Sequence, residues 1–281
     1  MASERIKMFQ SEAGASLCFD EAGHGHSVLA IHGAYSTHHE LSSALEPMLA
    51  PYDTYRRLYP DLPGMGGSPA HDSIQSSNDL VDLLEQFVDD QIGRSPLLVI
   101  GQSFGGHLAR GLAARRPRQV VGMALICPLL PEAMNPEPHA VVQSDVDPAA
   151  LLDPSQVDDF LGYFVVHTEE TVQRFKEAVV PSLGGFDGDA VERIMSGWRL
   201  DPDPVEIAFD APTLIVTGRH DAVVGFREQV ALVDRYPRAS YVVLAGTGHA
   251  LPHERPHLLS ALIGDWLASS MASLSDDADS A

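Results

Sequence analysis

A serine between two glycines is the strongest candidate for chemistry in this sequence. Positions 101–105 read GQSFG, which fits the pattern G-x-S-x-G. The run Leu97–Ile100 predicts a strand before this motif, and His107–Ala113 predicts a helix after it. A serine at such a tight turn is held in a strained conformation that exposes its Oγ, and the glycines leave room for the neighbouring strand and helix. The pattern predicts that Ser103 is a nucleophile; a glycine-rich turn without chemistry is the alternative.

A serine hydroxyl needs a base to become a nucleophile, and the base needs a group that orients it. Two later loops supply these groups. Asp221 follows the apolar run Leu214–Val216, and His249 follows the run Tyr241–Leu244. Because parallel strands end at the same edge of a sheet, we expect both side chains beside Ser103.

Two other residues compete for these roles. His220 is a rival base, but it directly precedes Asp221, and adjacent loop residues rarely face each other. Glu132 is a rival acid, but residues 128–131 read PLLP, so no acidic residue stands at the tip of the preceding strand. Asp221 and His249 are therefore preferred.

An attack on a carbonyl also needs hydrogen-bond donors for the developing oxyanion. The turn after the apolar run Val28–Ile31 is expected to aim the N–H of Ala34 at the same point as the N–H of Phe104. Losing one such donor typically raises the barrier by about 3–4 kcal/mol. His32 is expected to pack beneath this turn. Tyr35 and His38, just beyond it, are expected to line the substrate pocket.

Short apolar runs alternate with amphipathic stretches along the chain. In Ser76–Gln91, for example, Leu80, Leu83, Leu84 and Phe87 have the spacing of one helical face, and Ser76 is placed to cap the helix. Strands that alternate with helices predict an α/β fold with a mostly parallel sheet.

One segment breaks this alternation. Residues 129–210 show helical but no clear strand pattern and are rich in aromatic residues. We interpret them as a helical lid inserted into a core domain of residues 1–128 and 211–281, since long excursions from a compact scaffold often carry function. Phe160, Phe164 and Trp198 are expected to line the pocket beneath it. The alternative is a helical layer that only completes the core.

Composition narrows the class of partner. The 281 residues include 18 Lys+Arg and 39 Asp+Glu, a net charge of −21 that disfavours binding to nucleic acid or a membrane surface. The two cysteines and the absence of a signal-peptide pattern predict a cytoplasmic protein. The spacing of the histidines fits no metal-binding motif, so no metal site is predicted. A small-molecule substrate is the expected partner.

The order and spacing of these motifs resemble the α/β-hydrolase superfamily from about Ser27 to Leu267. The segments that carry the resemblance are the turn at 32–33, the sequence DLPGMGGS at 61–68, the serine turn, the loop around residue 221 and the dipeptide GH at 248–249. The resemblance implies a mostly parallel eight-stranded sheet flanked by helices, a helical lid after the sixth strand, and a mechanism without a cofactor. It also implies that Ser103 attacks a carbonyl, that Asp221 orients His249, and that His249 moves the proton before water hydrolyses the acyl-enzyme.

Differences between this sequence and particular branches of the superfamily exclude some reactions. Ser103 stands where dehalogenases and epoxide hydrolases carry an aspartate, and Ala34-Tyr35 stands where prolyl aminopeptidase relatives have Gly-Pro. We therefore predict hydrolysis of an ester or lactone, with a thioester or a C–C bond as further options, in a small to medium-sized, largely apolar substrate. A lyase or cyclising enzyme and a ligand-binding protein on the same scaffold are the alternatives. The sequence leaves the substrate and a homodimer open.

Overall fold

The computed structural model describes residues 6–130 and 135–279, which are built around one large sheet. The strands are β1 (Lys7–Gln10), β2 (Ser16–Gly23), β3 (His26–Ile31), β4 (Tyr55–Pro60), β5 (Leu97–Gln102), β6 (Val120–Ile126), β7 (Gln143–Ser144), β8 (Val166–His167), β9 (Thr213–Gly218) and β10 (Ala239–Leu244). Eight of them form the sheet, in the order β1-β2-β4-β3-β5-β6-β9-β10. The strand β2 is antiparallel to both of its neighbours, β1 and β4, and the other five adjacent pairs are parallel. The predicted eight-stranded, mostly parallel sheet is confirmed.

Helices flank this sheet, and three more lie in the long connection between β6 and β9. They are α1 (His38–Leu49), α2 (Ser77–Gln91), α3 (Phe104–Arg115), α4 (Val157–Tyr163), α5 (Glu169–Arg174), α6 (Gly188–Ser196), α7 (Leu251–Glu254) and α8 (Pro256–Asp279). As expected, Ser76 caps the start of α2: its Oγ accepts the backbone N–H of Asp79 at 3.3 Å. Its apolar face is buried, which supplies most of the stability of a helix of this length. None of the described helices combines the length and apolar character needed to cross a bilayer.

The central strands are mostly apolar in sequence, without an alternation of polar and apolar residues. Every residue of β5 and of β9 is buried, because helices cover both faces of a parallel sheet. By contrast, β10 lies at an edge and is only partly buried. Because β5, β9 and β10 run parallel, the loops that follow them leave the sheet at the same edge.

Residues 129–210, called the insertion below, connect β6 to β9. They contain α4, α5 and α6, several short turns of 3-10 or π helix, and the strands β7 and β8. The sequence showed no strand here, because a parallel pair of two residues each is too short to produce a pattern. The α6 helix is capped by Asp187, whose Oδ1 accepts the N–H of Ala190 at 3.1 Å.

The insertion has a small hydrophobic core of its own. It consists of Leu152, Phe160, Phe164, Val172, Phe175 and Val179, together with Ala250 from the loop that follows β10. The rings of Phe160 and Phe164 stack with centroids 4.8 Å apart. The core of the insertion therefore includes one residue from outside it.

Candidate active site

Ser103 occupies a sharp turn between β5 and α3. Its φ is 53° and its ψ is −119°, and a positive φ is strained for a residue with a Cβ. The two glycines of the motif are required sterically: a Cβ on Gly101 would lie 2.3 Å from the carbonyl oxygen of Gly105, and a Cβ on Gly105 would lie 2.0 Å from that of Ile31. The backbone N–H of Ser103 donates to the carbonyl of Ile126 at 2.9 Å, which fixes the turn against β6.

Asp221 and His249 meet in the loops that follow β9 and β10. The Nδ1 of His249 donates to Oδ2 of Asp221 at 2.8 Å. The other carboxylate oxygen, Oδ1, accepts the backbone N–H groups of Val223 and Val224 at 2.9 Å each. Asp221 is fully buried. These bonds hold the carboxylate rigidly and leave Nε2 of His249 as the nitrogen available for proton transfer.

Burial and the neighbouring charge shift the pKa values of Asp221 and His249 in opposite directions. Burial disfavours the charged form of Asp221, but the attraction and hydrogen bond of His249 outweigh it, so the pKa of Asp221 is below its usual value. Burial likewise disfavours a charged His249, but Asp221 outweighs it and raises the pKa of His249 above its usual value. The histidine is thereby made a stronger base than a free imidazole.

The turn after β3 passes close to the serine. A Cβ on Gly33 would lie 3.3 Å from Cβ of Ser103 and 3.7 Å from its Oγ. The backbone N–H groups of Ala34 and Phe104 have no hydrogen-bond acceptor among residues 6–130 and 135–279. His32 braces the turn from below, donating from Nδ1 to the carbonyl of Gly33 at 2.7 Å. Two free N–H groups are thus available next to the serine.

A third polar residue, Cys127, lies beside the Asp221–His249 pair. It follows β6 with a φ of 44° and is fully buried. Its Sγ, a carboxylate oxygen of Asp221 and a ring nitrogen of His249 lie within 4.8 Å of one another, a spacing that could hold a metal ion. The chemistry of the donors does not favour a metal, because burial raises the pKa of the thiol well above its usual value and Asp221 and His249 are hydrogen-bonded to each other.

A cavity of about 410 Å³ adjoins these residues. Ser103, His249, Ala34 and Phe104 all line it. Its apolar lining is Leu129, Val179, Leu183, Met195, Val223 and Val224, and its polar lining includes Ser36, Glu40, Gln102, Asp159, Tyr163 and Ser182. The structure therefore brings the candidate nucleophile, base and N–H donors to one cavity that also contacts the insertion. His220 does not line the cavity, and Glu132 lies outside the described residues.

Of the five residues expected to line the pocket, only Tyr35 does so. It is half exposed at the rim, in edge-to-face contact with Phe186 at 5.3 Å. His38 is held away from the cavity by Asp61, through the His38 Nδ1 at 2.8 Å and the His38 backbone N–H at 2.7 Å. Trp198 packs over the ring of His107 instead.

Phe160 and Phe164 also require correction. Both are fully buried in the small core of the insertion, where they pack against each other and against Phe175. They therefore stabilise the insertion and do not line the cavity.

Among the lining residues that sequence reasoning missed, three polar ones, Tyr163, Gln102 and Glu40, are hydrogen-bonded to one another in a row. Tyr163 has its ring 6.1 Å from that of His249, and its hydroxyl accepts a hydrogen bond from Nε2 of Gln102 at 3.3 Å. The same hydroxyl donates to Oε1 of Glu40 at 2.9 Å. Gln102 could have been predicted to line the cavity, because it directly precedes the serine. Nothing in the sequence around Glu40 or Tyr163 predicted that they line it.

The chain is similar to known proteins over most of its length. A model described as the alpha/beta hydrolase family matches residues 28–262. The monoacylglycerol lipase ABHD6 of Mus musculus is 25% identical over 265 residues, which cover 88% of this chain and 77% of that protein. A Pseudomonas putida protein named 2-hydroxy-6-oxononadienedioate/2-hydroxy-6-oxononatrienedioate hydrolase 2 is 26% identical over 285 residues, which cover 95% of this chain and 96% of that protein.

A solved structure supports the fold independently. An alpha/beta superfamily hydrolase from Oenococcus oeni PSU-1 matches with a TM-score of 0.85 at 24% identity. The match covers 94% of this chain and 99% of the other. The two chains therefore share their architecture over nearly their whole lengths.

Proposed function

The chain belongs to the alpha/beta hydrolase family and is a hydrolase, and we propose that it cleaves a carboxylic ester or lactone with Ser103 as nucleophile. In this proposal His249 is the general base, Asp221 orients it, and Ala34 and Phe104 form the oxyanion hole. The observation that carries the proposal is the 2.8 Å bond from His249 to Asp221 beside a cavity that a strained Ser103 also lines.

The proposed reaction has two steps. Ser103 Oγ attacks the carbonyl carbon while Nε2 of His249 takes its proton, and the new imidazolium is stabilised by Asp221. The N–H groups of Ala34 and Phe104 bind the oxyanion of the tetrahedral intermediate. His249 then gives its proton to the departing alcohol, which leaves an acyl-enzyme. Water activated by His249 releases the acid and regenerates the serine.

The lining of the cavity favours a neutral substrate with a substantial apolar part. Seven of its lining residues are alanine, valine, leucine or methionine, and a cavity of about 410 Å³ suits a small to medium-sized molecule. Among the described residues that line it there is no lysine or arginine. The P. putida relative is named for a dicarboxylate substrate, whose carboxylates would lack a cationic partner here. The mouse relative is named for a monoacylglycerol, a neutral ester, which fits better.

We further propose that the insertion is a lid on a core domain of residues 1–128 and 211–281. Seven cavity residues come from it, namely Leu129, Asp159, Tyr163, Val179, Ser182, Leu183 and Met195. Its segment at 182–187 is hydrogen-bonded to the loops of the core. The hydroxyl groups of Ser182 and Thr37 are hydrogen-bonded to each other at 2.7 Å, and the N–H of Asp187 donates to the carbonyl of Gly64 at 2.7 Å. A movement of the insertion would therefore change access to the cavity.

A fluorophosphonate probe tests the proposal directly, because it modifies only an activated serine. We expect stoichiometric labelling of the wild type by intact mass, no labelling of Ser103→Ala, and strongly reduced labelling of His249→Ala. The labelled enzyme should also lose hydrolysis of short neutral esters. A folded but unlabelled wild type would overturn the proposal in favour of a ligand-binding protein. Acid products without solvent oxygen, in water enriched in heavy oxygen, would favour a lyase or cyclising enzyme instead.

A further inference from the structure

The lining of the cavity includes a buried carboxylate that the proposed reaction does not use. Glu40 lies in the first turn of α1 and is only 6% exposed, yet it lines the cavity. Its Oε2 accepts the hydroxyl of Ser36 at 2.6 Å, and its Oε1 accepts the hydroxyl of Tyr163 at 2.9 Å. The Nε2 of His253 lies 3.7 Å from Oε1. The carboxylate is therefore positioned by partners from three parts of the chain.

Glu40 is charged at neutral pH. Burial disfavours its carboxylate form, but the neighbouring His253 and the two hydroxyl groups outweigh burial and lower its pKa below the usual value. A carboxylate oxygen can accept about two hydrogen bonds. Oε1 accepts the hydroxyl of Tyr163 and also lies beside His253, whereas Oε2 accepts only the hydroxyl of Ser36 among the described residues, so Oε2 keeps the capacity for another donor.

The surroundings define which donor would fit. Leucine, valine and methionine side chains supply an apolar part of the cavity lining, and the described lining residues include no lysine or arginine. A charged acceptor in such a place binds a hydrogen-bond donor strongly and repels an anion. The hydroxyl of Tyr163, held by Gln102 at 3.3 Å, extends the polar patch towards the serine turn. The cavity therefore combines apolar side chains with a buried carboxylate that accepts hydrogen bonds.

We infer that Glu40 binds a hydroxyl group of the substrate, so that the preferred ester is amphiphilic and carries a free hydroxyl a few bonds from the scissile carbonyl. This inference rests on the proposed function and names a substrate class for the same site. The hydroxyl can belong to the alcohol part or to the acyl part of the ester, and the chemistry of recognition is the same in both. A solely structural role for Glu40, joining α1 to the insertion, is the competing explanation.

Matched pairs of esters separate the two sources of the hydroxyl. For the alcohol part, 2,3-dihydroxypropyl butanoate is compared with propyl butanoate; for the acyl part, ethyl 3-hydroxybutanoate is compared with ethyl butanoate. We expect kcat/KM of the wild type to favour the hydroxylated member of at least one pair by about tenfold, as for a hydrogen bond to a charged group. A monoethyl ester of succinic acid should be the poorest substrate, because its carboxylate would face Glu40.

The variant Glu40→Gln keeps the size of the side chain and removes its charge. We expect it to reduce the preference for the hydroxylated ester to near unity, mainly through KM, while the reaction with the plain ester stays measurable. Glu192→Gln is the matched control, since Glu192 is exposed on α6 and does not line the cavity. It should keep the wild-type preference.

The possible results separate this inference from the proposed function. If no ester is hydrolysed and the fluorophosphonate does not react, the proposed function itself fails. If esters are hydrolysed but the wild type prefers neither hydroxylated member, the inference is overturned. It is also overturned if Glu40→Gln folds and keeps the preference. If Glu40→Gln does not fold, the wild-type comparison of the hydroxylated, plain and carboxylated esters decides alone.

Discussion

The carboxylate of Glu254 accepts the backbone N–H of Gly248 at 2.7 Å and so fixes the residue directly before the histidine of the active site. The same carboxylate accepts the hydroxyl of Thr247 at 2.6 Å. It also accepts the N–H groups of Val165 at 2.7 Å and Val166 at 3.0 Å, both in the insertion. One buried side chain on α7 thus joins the loop after β10 to the insertion.

Replacing this carboxylate should cost both stability and turnover. In Glu254→Gln the amide nitrogen replaces an acceptor with a donor, so two of the four hydrogen bonds are lost. We expect the free energy of unfolding to fall by about 2–3 kcal/mol, as for unsatisfied buried groups. We also expect kcat to fall more than KM changes, because the loop before His249 loosens. Urea denaturation and steady-state kinetics measure the two effects; an unfolding free energy equal to that of the wild type would contradict the assignment.

The pH dependence of the reaction should follow His249. The base acts in its neutral form, and Asp221 raises the pKa of His249 above its ordinary value of 6.5. We therefore expect kcat/KM to be highest above that raised pKa and to fall about tenfold per pH unit below it. The midpoint of the fall should lie above pH 6.5. A profile that stays flat between about pH 5 and pH 8 would exclude His249 as the base.

Asp221→Asn should separate orientation from charge. The asparagine keeps the shape of the side chain, but it no longer stabilises the imidazolium and can favour the wrong tautomer of His249. We expect kcat to fall by about 10⁴-fold, as for the equivalent change in other serine triads. The midpoint of the remaining pH profile should move to lower pH, since the cause of the raised pKa is gone. Asp189→Asn, on the exposed surface of α6, should leave both quantities unchanged.

Two glycine-to-alanine changes should have opposite consequences. In Gly105→Ala, the new Cβ would meet the carbonyl oxygen of Ile31 at 2.0 Å, so β3 or α3 has to shift. We expect a loss of several kcal/mol in unfolding free energy, in the range of the most damaging single substitutions. In Gly162→Ala, nothing lies within 4 Å and the site is an exposed turn of α4. That change should be neutral or stabilise by up to about 1 kcal/mol. Thermal unfolding distinguishes the two at once.

The positions of Ser103, Asp221 and His249 could be inferred from sequence because each follows a strand of one parallel sheet. Such strands end at a common edge, so the order of elements alone predicts that their loops converge. The glycines on either side of the serine could also be explained from the sequence, because the tight turn leaves no room for side chains there. Features that depend on neighbouring residues in the chain could therefore be predicted from the sequence.

The residues that line the cavity could not be predicted from the sequence in this way. Phe160 and Tyr163 lie on the same short helix, but the phenylalanine enters the core of the insertion and only the tyrosine faces the cavity. A helix of seven residues has too few turns for its buried face to be assigned from its pattern. Glu40 is buried because Tyr163 meets it from 123 positions away. Contacts of that range depend on the packing of the insertion, which no local signal describes.

Ala250, the neighbour of His249, packs inside the core of the insertion. Residues 129–210 are therefore not an exchangeable module with a clean boundary. A chimera that took this segment from a relative would also bring aromatic side chains shaped for a different partner at position 250. Any mismatch there would act on the backbone of the adjacent histidine. Recombination between relatives should succeed only when the short stretch around residue 250 is inherited together with the segment that covers it.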